Sequence, residues 1–171
     1  MTAMKDDLPS LYEFNRWADS RVVHALRALD EEEYTRELGG GWPSVRAAFV
    51  HIAGATWAWT ERIAERDCTV LHTPEQLPRL DDAVALLEEA HGRLDVLVAA
   101  ATPERLDSVF AWKNLAGAER KARFWVILRH VVNHETYHRG QISAMVKRLG
   151  KKPIATDLVL WGIEEYEKET R

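Results

Sequence analysis

Cysteine is nearly absent: Cys68 stands alone in 171 residues, so no disulfide can form within the chain, and a reducing compartment suits it. Cys68 sits in a polar stretch, between Asp67 and Thr69, and is expected to have no nearby cation, which argues against an activated thiolate. No apolar run approaches the roughly 20 residues of a membrane span. Met1 to Pro9 lack the apolar core of a signal peptide, so export is not expected and a cytoplasmic location is. Neither sign of charge dominates. The net charge of −4, well mixed along the chain, leaves neither a nucleic-acid footprint nor a basic membrane-surface patch. Strand-period alternation, internal repeats and low-complexity tracts are also missing. With 46% hydrophobic and 29% charged residues, an ordinary globular chain remains, long enough for one domain with a real core.

What the chain does contain is helical periodicity. Ser10 and Glu13 read as a capping box opening a helix from Leu11 to about Leu29, with Leu11, Phe14, Ala18, Val22, Ala25 and Leu29 on one face. Residues 30–42 break the pattern, with three glycines before Pro43. A second helix is expected over about 44–66, with Val45, Phe49, Ile52, Trp59 and Ile63 inward. A third is expected over about 80–101, carrying Leu80, Val84, Leu87, His91, Leu94 and Val98. Thr102-Pro103-Glu104 opens a short extra turn, and residues 108–118 read as a loop. The longest helix is expected over about 119–149, ending at Gly150. Thr156 is placed to cap a last helix over 157–168, whose Leu158, Trp161 and Ile163 pack back on the rest. Four long amphipathic helices imply an antiparallel bundle. Residues 67–79 are long enough to run the length of a helix, which would leave the second and third helices parallel.

The long helix places His134 and His138 one turn apart on its core stripe, between Val131 and Ile142. At i and i+4 both rings project to one side and can reach one ion at about 2.0–2.1 Å. Two adjacent imidazoles are costly in an apolar core without partners. Seven histidines placed at random would give only about 0.3 such pairs; this chain has two, because His130 precedes His134 by four. A third donor must come from another helix. His51, mid-helix in F-V-H-I-A with small residues nearby, is the strongest candidate, against a plainer role as a hydrogen-bonded histidine at the core's margin. His130 can join His134 or stand behind it, but lies about 12 Å from His138. His24 and His72 read as surface or loop residues, and His91 as a core or pocket-edge residue.

The stretch H-V-V-N-H-E-T-Y-H-R-G-Q-I, residues 130–142, resembles the signature of the DinB/YfiT-like metalloprotein superfamily. G-W-P-S-V-R-A-A-F-V-H-I, residues 41–52, resembles the segment leading to that family's first histidine, with Trp59 and Arg62 at the matching offsets. Y-E-F-N-R-W-A-D-S-R, residues 12–21, resembles its first helix. The resemblance implies a single all-α domain over 1–171: a four-helix bundle, up-down-down-up, with a short C-terminal helix. It implies one divalent metal ion on His51, His134 and His138, and frequent homodimers; by position on the helix, His130, Glu135 and Arg139 are candidate neighbours of those ligands. Relatives often carry an acid five positions after the first histidine, where this chain has Thr56, so any role of that acid is in question here.

The resemblance implies a metal-dependent enzyme: a transferase or isomerase using a low-molecular-weight thiol, or a hydrolase, acting on a small molecule. A bacillithiol- or mycothiol-type S-transferase leads among these. A non-catalytic dimeric stress-response or interaction protein with a structural metal is the second reading. A ferritin-like di-iron oxidase is a third, because Glu-x-x-His occurs at Glu88/His91 and Glu135/His138; its further glutamates would be Glu13 and Glu61, whose depths do not match. The donor set does not select among zinc, nickel, copper, iron and manganese. No catalytic acid or base stands out; Glu135 and Arg139 flank the ligands and read equally as solvated residues or as part of a dimer seam.

Overall fold

The computed structural model describes residues 2–170, with side chains from residue 7 onward. Seven helices and one hairpin follow each other: α1 Thr2–Leu26, α2 Glu31–Thr35, α3 Val45–Ile63, α4 Leu80–Ala99, α5 Pro103–Asp107, β1 Val109–Lys113, β2 Glu119–Arg123, α6 Phe124–Arg148 and α7 Leu158–Glu169. Long helices α1, α3, α4 and α6 make the bundle, with α1 and α3 each flanked by α4 and α6.

Side-chain pairings reveal the direction of each helix. Tyr12 Oη donates to Leu128 O, Asn15 reaches Glu135 and Asp19 meets Arg139, so α1 and α6 run parallel. Thr56 meets Glu135 while Trp59, further along, meets His130, so α3 runs against α6. Arg16–Asp95, Asp19–His91 and Arg27–Asp81 set α4 against α1. The order is therefore up-down-down-up. Residues 67–79 return the chain along the bundle, and Gly54 makes their path possible: a Cβ there would meet the His72 backbone nitrogen at 3.2 Å.

Local chemistry explains most boundaries. Ser44 caps α3 by accepting from Ala47 N, and Thr102 caps α5 by accepting from Arg105 N, with Pro103 in its first turn. Gly150, at φ +80°, ends α6 in the left-handed conformation that glycine adopts without strain.

Four expectations are corrected. Helix α1 begins before Ser10 and contains Pro9, so the Ser10–Glu13 capping box does not exist. The expected break after residue 30 holds a short helix, α2, opened by a real box: Asp30 accepts from Glu33 N, and the Glu33 carboxylate accepts from Asp30 N. Residues 109–123 form an antiparallel hairpin with Val109 opposite Arg123, taking five residues from the expected start of the long helix. In α7 only Trp161 packs firmly, edge-on to Phe14; Leu158 and Ile163 stay half exposed.

The core is divided. One apolar cluster holds Leu8, Tyr12, Phe14, Leu94, Phe124 and Leu128; the other holds Val22, Phe49, Ile52, Leu87, Ile142 and Met145. Between them lies a buried polar layer to which all four long helices contribute: Asn15 and Asp19 from α1, Thr56 from α3, His91 from α4, and Glu135 and Arg139 from α6.

Candidate metal centre

His51, His134 and His138 come together on the α3–α6 seam beside that layer. Their donor nitrogens all lie within 4.8 Å of one another, and the three ring centroids are 4.4–5.2 Å apart. His138 Nε2 faces His134 Nε2 at 3.1 Å. Two nitrogens sharing a tetrahedral ion at the usual bond length would be separated by about 3.3 Å, so little movement is needed.

Protonation also fits a metal. Burial and the neighbouring imidazoles push His51 and His134 down to about 4, and burial lowers His138 as well. All three rings are therefore neutral near pH 7, the form that ligates. The His138 tautomer follows from Gln141. Its Oε1 accepts from the Trp42 indole N–H at 2.7 Å and lies 2.7 Å from His138 Nδ1. That oxygen can only accept, so Nδ1 carries the proton and the Nε2 lone pair points at His134. Trp42 also covers the rings of His51 and His138, with centroids 4.6 and 5.6 Å away.

His130 is not in this group. Its ring packs edge-on against Trp59 at 5.0 Å and stands 5.5 Å from His134. His24 is exposed, and His72 packs on Trp57.

Of the readings open for Glu135 and Arg139, neighbours of the ligands, solvated residues or a dimer seam, the structure excludes the last two. Both are fully buried. Glu135 accepts from Asn15 Nδ2 and Thr56 Oγ1, each at 2.7 Å, and lies 3.3 Å from His91 Nε2. Arg139 donates to Asn15 Oδ1 and Asp19 Oδ1 at 2.8 and 2.9 Å. Burial tends to raise Glu135, but His91 and Arg139 outweigh it and hold the carboxyl below its usual range. Burial and the nearby Glu135 charge push Asp19 up to about 8.

Asp19, His91 and Glu135 form a second group of donors close enough to share an ion. Their surroundings fit one poorly. Arg139 already supplies a fixed cation beside both carboxyl groups, Asp19 keeps its proton up to about pH 8, and the Glu135 oxygens are taken by amide and hydroxyl donors, so this layer reads as a buried hydrogen-bonded network around the Glu135 and Arg139 charges. The di-iron pattern fails for a related reason: His91 and Glu135 do meet, but Glu13 and Glu88 are exposed and Glu61 pairs with Arg66. Thr56 belongs to this network and not to the histidine group. Sequence reasoning missed Asn15, Asp19, Trp42 and Gln141. The available signal was two polar residues, Asn15 and Asp19, four apart beside the apolar stripe of α1.

Cys68 also departs from expectation. It is buried, and the Arg62 guanidinium lies beside it, with Nε donating to Cys68 O at 2.9 Å.

An up-down-down-up bundle with three neutral imidazoles converging on one seam defines a helical candidate metalloprotein. Comparison with known proteins narrows the class: the DinB family matches residues 4–169, and the chain belongs to that family. Protein DinB of Bacillus subtilis is 29% identical over 163 residues, covering 92% of this chain and 95% of its own. The crystal structure of a DinB-like protein from B. subtilis shares the fold, with a TM-score of 0.60 at 15% identity, covering 85% of this chain and 95% of the other. No described helix is long and apolar enough to cross a membrane.

Proposed function

We propose that this protein binds one divalent metal ion through His51, His134 and His138, and that it is a metal-dependent enzyme acting on a small molecule. The observation that carries this reading is the meeting of three neutral imidazoles from two helices, with one tautomer held by Gln141. Three histidine donors with no carboxylate or thiolate in the group leave coordination positions for a substrate, as catalytic sites do and closed structural sites do not. When bound, a divalent ion there supplies Lewis acidity, which makes a thiol or water nucleophile available near neutral pH.

The chain's own residues orient and shield. Gln141 keeps the His138 proton on Nδ1, and the Trp42 ring covers one side of the site. A low-molecular-weight thiol of the bacillithiol or mycothiol type, attacking an electrophilic small molecule, is the favoured reaction, with isomerisation and hydrolysis close behind. In a second reading the metal is structural and the protein is an interaction partner; the engagement of Glu135 in the buried layer favours it, because among the described residues no carboxylate joins the three-histidine group. Steady-state turnover of an electrophile with each thiol separates the two. Enzymatic function requires turnover that depends on added metal and is lost in His134→Ala, and no turnover with any thiol or with water favours the structural role.

A homodimer belongs to the same proposal. Leu158, Val159, Ile163 and Tyr166 on α7 are 49–68% exposed, an apolar strip that a second copy could cover.

A further inference from the structure

A cleft of about 280 Å³ opens where the end of α3 meets the hairpin, between the α3–α4 connection and β1. By the rise of an α-helix it lies about 16 Å along α3 from His51, so it is separate from the histidine group. Trp112, Phe110 and Cys68 are among its lining residues, with four cations, Arg62, Arg66, Arg105 and Lys113, and two carboxylates, Glu65 and Asp67. Three of the cations are matched, Arg66 by Glu61, Arg105 by Glu65 and Lys113 by Asp67.

Arg62 is not. It is 92% buried, since only 8% of its surface is exposed, and among the described residues no carboxylate comes within ion-pairing distance. Its guanidinium lies over the Trp59 ring at 4.8 Å, Nε donates to Cys68 O, and the buried Nη2 meets no acceptor. A buried guanidinium without an anion is costly. With Nε occupied, the terminal nitrogens remain as donors for a carboxylate or phosphate, and Nη2 joins Nη1 in a two-oxygen fork once the guanidinium turns outward, because Nη2 is closed off as it stands.

We propose that this cleft is an oxyanion-binding site, with Arg62 as its central donor, for a small molecule bearing a carboxylate or phosphate group. The half-buried Trp112 receives the apolar part of that molecule, and Arg62 supplies the charge that the paired cations around it do not.

The test is a ¹H–¹⁵N NMR titration of the full chain with inorganic phosphate and, separately, with sodium acetate, at constant ionic strength. The indole signals of Trp59 and Trp112, assigned with Trp59→Phe and Trp112→Phe, are the readout. A saturable shift of these two signals is expected, with at least tenfold weaker binding in Arg62→Gln. Saturation by phosphate alone, acetate alone or both supports the site and assigns its anion class. Ala111→Glu leaves Arg62 intact and places a carboxylate on the cleft wall; it should abolish the response even if Arg62→Gln folds poorly. Absence of a saturable shift with both anions, or an unchanged titration in folded Arg62→Gln or in Ala111→Glu, overturns the proposal. No metal enters these measurements, so their outcome is independent of the histidine group.

Discussion

The Nε2 atoms of His134 and His138 face each other at 3.1 Å, one helical turn apart on α6. A hydrogen bond between imidazoles spans a similar distance. The third ring, His51, and the lowered pKa values of the group favour a shared ion over a simple pair. Because His51 and His134 titrate near 4, protons compete with a metal only well below the ordinary histidine value of about 6.5. Metal affinity should therefore stay nearly flat as pH falls from about 7.5 through the ordinary histidine value and decline only below it, since all three rings are lowered. Calorimetric titration with zinc across this range measures it; a steep decline beginning near pH 6.5 would contradict the lowered values.

Gln141 connects Trp42 to His138 through one oxygen. Gln141→Leu removes that acceptor and frees the ring to change tautomer. Metal affinity should drop by about 10–100-fold while the helical circular dichroism is kept. Trp42→Phe removes only the indole donor and should cost less. Equal affinities in wild type and Gln141→Leu would show that the tautomer is held by something else.

Glu135 is the centre of the buried layer, so its loss should be felt as stability. Glu135→Ala removes the ionised carboxylate nearest His91 and leaves Arg139 with Asp19 alone among acidic partners, and should destabilise by about 3–5 kcal/mol. Thr56→Val deletes one hydrogen bond to a buried charged group and should cost about 1.5–3 kcal/mol. Urea unfolding of the metal-free proteins gives both values. A Glu135→Ala protein as stable as wild type would mean the layer is not held together by its charges.

Asp19 sets a pH dependence of the opposite sense to ordinary acid denaturation. Its folded pKa of about 8 exceeds the unfolded value near 3.9. The folded chain thus holds a proton that the unfolded chain has released, and the stability from this group is lost as pH rises through about 8. His91 acts in the same direction: burial would lower its pKa, but Glu135 and Asp19 hold it above the ordinary value. The lowered groups His51, His134 and Glu135 contribute fully across pH 7–9 and add no slope there. The urea midpoint of the metal-free protein should fall from pH 7 to 9, and Asp19→Asn should flatten that fall. Identical slopes in both proteins would contradict this assignment.

Bundle topology was readable because it rests on long-range regularities: apolar stripes with helical spacing, and one connection too long for a simple hairpin. The i,i+4 histidine pair was readable for the same reason. The hairpin was not. Glu119 to Arg123 carries almost no apolar alternation, and its pairing with β1 is set by the partner strand and the turn at Gly117. The buried layer was hidden differently. Glu135 and Arg139 read as solvated because of their charge, although Glu135 lies only about 20° from Ile142 on the helical wheel; their partners Asn15, Asp19, Thr56 and His91 sit on three other helices. Gln141 carried no signal of its own, because its role depends on Trp42, 99 residues away.

Metal stoichiometry in purified histidine variants tests the central claim most directly, with circular dichroism recorded alongside so that unfolding is not mistaken for ligand loss. Wild type should bind one zinc ion per chain. His51→Ala, His134→Ala and His138→Ala should each lose stoichiometric binding, because two imidazoles remain in place of three. His130→Ala should keep it, weakened by no more than about 10–100-fold, since His130 packs on Trp59 beside the group. Loss of the ion in folded His130→Ala, with retention in His138→Ala, would contradict the assignment and move the site to the upstream pair.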